Sequence, residues 1–186
     1  MNKYPALLLA LFLTPICSGY IEPAMAEDTS PLKNAEGILD LRSMFFTRSP
    51  RDLGIVPTQE HPRIWAVLMD MGSDEGTATL LAAVDGTVSL YTSTGSAIIG
   101  AGEHPSVRRR AMTFLRTAEL YLDEFQKTSE YPLSAPGRTK FYLMTFSGTF
   151  TGDFDENTLG EGRHKLSKLF YAAHEVISAM REKTPL

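Results

Sequence analysis

Residues 77–84 and 87–94 are two apolar, β-branched-rich runs separated only by Asp85-Gly86. Asp-Gly between such runs signals a two-residue hairpin, because both central positions of that turn need positive φ. A third run, 64–69, precedes them across Gly72-Ser73-Asp74-Glu75-Gly76, and residues 97–99 add a short fourth strand. Strands joined by turns this tight must lie antiparallel, since a parallel neighbour needs a crossover of about a dozen residues. The 64–69 run, Ile-Trp-Ala-Val-Leu-Met, is apolar throughout. That is the pattern of a strand covered on both faces.

Helical spacing brackets this meander. Val107, Ala111, Phe114, Ala118, Leu122 and Phe125 trace a buried stripe through a helix over 105–127. Leu166, Phe170, Ala173, Ile177 and Met180 do the same over 164–182, and Ile38, Leu41 and Phe45 over a shorter helix ending at 46. Ser30-Pro31 opens that short helix. The connector 47–63 holds Pro50, Pro57 and Pro62, so only one helical turn fits, over 49–54. A connector this long is often functional or packed across a surface. Residues 139–146 alternate as a strand, and a polar loop carrying Gly152, Asp153, Asp155, Glu156, Asn157, Gly160 and Gly162 follows.

The reading is an α+β domain of order α-β-β-β-(β)-α-β-α. One antiparallel sheet of about four or five strands is covered by two or three amphipathic helices. This order is similar to that of the profilin-like and roadblock-like small domains. The likeness is one of architecture, with no motif behind it, and implies no function.

The first residues read as an address. Lys3 precedes the apolar run 6–13, Pro15 and Gly19 break it, and Ala24-Met25-Ala26 offers small residues at a cleavage site. This is the pattern of a secretory signal peptide over 1–26, cut after Ala26, with a single domain over 27–186. The run is far short of the ~20 residues that span a bilayer, so no stable membrane span is expected. The alternative, lipid attachment at Cys17, is weakened by the branched Ile16 before it. Cys17 is the sole cysteine, so a cleaved chain holds together by its core without disulfides. Removing 1–26 takes away Lys3 and Glu22 and leaves the net charge at −4. A periplasmic or secreted location is expected, and nucleic acid is not an expected partner.

Several constellations bear on chemistry. Gly95, Gly100 and Gly102 flank a short strand, and Gly102-Glu103-His104-Pro105-Ser106 opens the long helix with Arg108, Arg109 and Arg110 in its first turns. A helix N-terminus with glycines beside it suits an anion, yet neither G-x-G-x-x-G nor the Walker spacing is present. The simpler reading has the glycines serving turns and Glu103 or His104 capping the helix. Asp153, Asp155 and Asn157 echo a calcium loop, but Thr158 stands where the loop needs Gly and His164 where it needs Glu. His61, His104, His164 and His174 show no paired ligand spacing, and His174-Glu175 lacks the second His of a zinc helix. Ser30-Pro31-Leu32-Lys33 matches S-x-x-K without its companion motifs. Asp70, closing an apolar strand, pairs with an arginine in the structural reading; Arg63, Arg108, Arg109 and Arg138 are the candidates.

No catalytic set emerges and no cofactor is expected. The leading expectation is a non-catalytic exported domain that binds a protein partner, with Phe150 and Phe154 of the polar loop as contact residues. The alternative is a small-ligand or anion sensor using Gly100, Gly102, Glu103, His104, Ser106, Arg108 and Arg109. A third reading is a hydrolase built on Asp70, His104 and His174, which requires those three side chains in one cleft.

Overall fold

The computed structural model describes Gly37 and residues 41–183. The segment 1–26 expected to be a signal peptide, Cys17 and the expected Ser30-Pro31 helix start lie outside the described residues. In chain order come helix α1 (residues 41–47), a 3-10 turn (Pro50–Leu53), and strands β1 (Ile64–Ser73), β2 (Gly76–Ala83), β3 (Val88–Thr92) and β4 (Ala97–Ile98). Helix α2 (Pro105–Tyr121), strands β5 (Gln126–Thr128), β6 (Arg138–Thr145) and β7 (Gly148–Asp155), and helices α3 (Glu156–Gly160) and α4 (Ser167–Lys183) follow. The fold is α+β, with one antiparallel seven-stranded sheet of order β4-β3-β2-β1-β6-β7-β5.

The strand count exceeds the four or five expected, for two reasons. The segment read as a polar loop is β7, which pairs along β6 from Arg138↔Asp155 to Thr145↔Gly148. The last residues assigned to the long helix instead leave it: α2 stops at Tyr121, a 3-10 turn spans Leu122–Glu124, and β5 pairs Gln126–Thr128 with Thr149–Thr151. The connector behaves as expected. Ser49 caps the Pro50–Leu53 turn, accepting from the Arg51 N–H at 3.2 Å, and Gly54 ends it at φ 68°.

The sheet separates two cores. On its helix face, α2 and α4 cover Val67 and Met69 of β1, Leu80 and Ala82 of β2, and Phe141 and Leu143 of β6. On its connector face, Phe45 and Phe46 of α1, Leu53, Ile55 and Tyr131 cover Leu68, Leu81, Tyr142 and Met144. β1 is buried on both sides because both layers need it. A bulge interrupts its pairing with β6 between Ile64 and Ala66, so Trp65 is the extra residue. Bulges re-aim a side chain, and this one sets Trp65 beside Ala66 on the connector face while Ile64 packs on the helix face. Among the described residues, no helix is long and apolar enough to cross a membrane.

Candidate binding cleft on the connector face

Arg42 organises the connector face. It shares the α1 stripe with Leu41 and Phe45, yet it is the buried polar member. Its guanidinium donates to Asp70 of β1 at 2.6 Å and to the Tyr131 carbonyl at 2.8 Å. Its Cζ stands 4.9 Å from the Phe46 ring centre and 5.3 Å from that of Tyr142. Asp70 is fully buried and also accepts from Thr79 of β2 at 2.6 Å. A buried charge persists only when paired and hydrogen-bonded, and these contacts supply both. The partner of Asp70 is therefore Arg42, not any of the four arginines expected. Arg63 reaches Glu119 and Asp123, Arg108 the Gly102 carbonyl, and Arg138 Asp153; the Arg109 guanidinium has no partner among the described residues.

Two phenols border this pair. Tyr142 donates to the Pro132 carbonyl at 2.5 Å, and burial pushes its hydroxyl up to about 12. Burial, reinforced by the Asp70 charge, pushes Tyr91 higher still. Both stay neutral under ordinary conditions. Tyr131 stacks on Phe46 at 4.0 Å between ring centres, closing the layer.

Beside this layer, where α1 ends, the surface opens into a cleft of about 340 Å³. Phe45, Phe46, Tyr131 and Phe146, all half-buried, give it an aromatic floor, with Trp65 and Met144 buried beneath. Arg48 and Lys127 stand on its rim, both exposed and neither with a side-chain hydrogen bond or ion pair among the described residues. Among the described residues no carboxylate lines it. Each feature has a local cause: the β1 bulge presents Trp65, the capped turn at Ser49 and Pro50 fixes one wall, and β5 brings Lys127 against β7. Sequence reasoning missed this site. The visible signal was the aromatic density of 45–46 and 141–146 around a proline-rich connector.

The glycine-rich turn is occupied by the chain itself. A Cβ on Gly102 would lie 1.8 Å from the Gly86 carbonyl oxygen, so the glycine permits contact between two backbones. Arg108 closes over Gly86 and donates to the Gly102 carbonyl at 2.9 Å. Gly100 adopts φ 76° with open space around it. Pro105 occupies the first helical position, but neither Glu103 nor His104 caps the helix by a side-chain hydrogen bond. Ser106 Oγ is buried without a partner, Arg109 is exposed, and Arg110 pairs with Glu175 of α4.

Phe150 and Phe154 lie on β7, not in a loop. Both are half-buried on the helix-face core, and Phe154 packs edge-on to Phe125 at 5.9 Å. Asp155 caps α3, and the hydrogen bonds from Thr158 hold its carboxyl below the usual range. Asp153 is held by Arg138 and Lys140. Among the described residues no group of three His, Cys, Asp or Glu side chains could hold a metal. Asp70 faces the connector, whereas His174 packs on Phe170 at 4.2 Å over the helix face, so the sheet stands between them. The three residues of the hydrolase reading are not gathered in one cleft.

Comparison with protein-family models, with curated proteins and with solved structures finds no match.

Proposed function

We propose that this chain is an exported, non-catalytic binding module that recognises a protein partner through the cleft on the connector face. One observation carries the reading: a cleft of about 340 Å³ with an aromatic floor has two cations on its rim, Arg48 and Lys127, whose side chains have no partner among the described residues. Buried aromatic anchors inside a polar rim are the anatomy of a protein-binding hot spot. The export half rests on the pattern of residues 1–26. The anion-sensor alternative has less support, because Gly102 and Arg108 are engaged with their own chain and leave Arg109 as the free cation.

Site-specific photo-crosslinking tests the reading. A photoreactive phenylalanine analogue at Phe146, in the cleft, is compared with one at Leu120, which is 80% exposed on α2. The expected result is a discrete protein adduct from position 146 and none from 120. Adducts from both positions, or from neither, overturn the proposal.

A further inference from the structure

We infer that the occupant of this cleft is an acidic segment of the partner polypeptide, with one aromatic or large apolar side chain on the floor and flanking carboxylates on the rim. The inference rests on the binding reading above and adds its chemistry. Charge complementarity carries it. Arg48 and Lys127 stand on opposite elements, one following α1 and the other on β5, yet both line the same cleft. The described carboxylates lie elsewhere, many of them already paired: Asp153 with Arg138 and Lys140, Glu175 with Arg110, Glu124 with Lys165. In a chain of net charge −4, two cations with no carboxylate beside them among the described residues form a local field opposite in sign to the whole. Such a field attracts an acidic partner and rejects a basic one.

The cleft's shape favours a polypeptide over a compact small molecule. It is an open surface cleft near the low end of the ~300–1,000 Å³ typical of ligand pockets, which enclose most of their ligand. An open floor accepts one anchor side chain while the chain continues across the rim. Phe45, Phe46 and Phe146 supply the apolar contact, and Trp65 lies directly beneath them.

Trp65 is the sole tryptophan and lines the cleft, so its emission reports the site directly. The folded protein is titrated with short N-acetylated peptides alternating Asp with Phe, Gln with Phe, and Lys with Phe, and with benzoate. The expected result is saturable change with the Asp peptide, weaker binding of the Gln peptide, and none with the Lys peptide. Each rim cation contributes up to about fivefold in affinity, the scale of an exposed ion pair. Raising ionic strength from about 0.05 to about 0.5 M weakens binding, because exposed charges are screened. The double variant Arg48→Glu/Lys127→Glu reverses the order, so that the Lys peptide binds. The salt and peptide comparisons on the unaltered protein stand even if that variant does not fold.

Equal binding of all three peptides overturns the acidic specificity and leaves the protein-binding cleft intact. Benzoate binding as tightly as the Asp peptide overturns the polypeptide occupant. No response to any probe, together with no adduct from position 146, overturns both the inference and the reading beneath it.

Discussion

Arg42 shows how one side chain can be both the most expensive and the most informative residue of a layer. Its ion pair with Asp70 sits away from water, so the attraction mainly offsets the cost of removing two charges from solvent. Removing one partner is a different matter, since the other is left charged and buried. Arg42→Met is therefore expected to destabilise the fold by about 3–5 kcal/mol, read from urea unfolding. The double variant Arg42→Met/Asp70→Asn should recover more than half of that loss, because no unpaired charge remains. A loss in the double variant as large as in the single would show that packing of the guanidinium between Phe46 and Tyr142 dominates. Position 42 was open to inspection in the sequence: it lies one turn from Ile38 and three residues before Phe45, on the apolar stripe. An arginine there requires a buried acid, and Asp70 is the acid that closes an apolar strand.

Among the elements, the turn before α2 shows two glycines doing unlike work. Gly102 sits where two backbones touch, and Gly100 sits where the chain reverses in open space. Alanine at 102 must push the Ala101–Glu103 turn off the β2–β3 hairpin, whereas alanine at 100 meets only the strain of positive φ. That strain costs about 1–2 kcal/mol. Gly102→Ala is expected to cost more than Gly100→Ala in thermal unfolding, and the reverse order would mean that the turn moves freely.

Legibility follows the same division. The meander was readable because tight turns and apolar runs act locally, and α4 because its stripe is long. β7 was missed because Gly148, Gly152 and four acidic or threonine neighbours suggest a loop, although Phe150, Gly152 and Phe154 alternate with polar residues at the period of a strand. β5 has three residues and carries no pattern of its own; only pairing with β7 makes it a strand. The cleft is harder still, since it depends on a bulge and on elements far apart in sequence.

The molecule as a whole carries two histidines that burial holds below their ordinary value of 6.5, His61 and His174. The unfolded chain takes up protons near pH 6.5 while the folded chain does not. Stability is thus fully present above that point and is lost as pH falls toward the folded values. Urea midpoints should fall from about pH 7 to about pH 5. His174→Gln should flatten that slope by at most about 1.4 kcal/mol per pH unit, the limit for one proton. An unchanged slope would assign the acid sensitivity to His61 alone. Export would place the chain where surrounding pH is less buffered than inside a cell, and this dependence would then bear on its working range.

The sheet ends in two very short borders, Ala97–Ile98 on one side and Gln126–Thr128 on the other. Each covers only part of a longer strand: β5 pairs with 149–151 of β7 and β4 with 90–91 of β3. A second copy meeting either border finds a few residues of the short strand and, offset from them, the uncovered part of its neighbour. The free edge is thus broken into short, offset lengths, and concentration alone is a weak route to fibres for this protein.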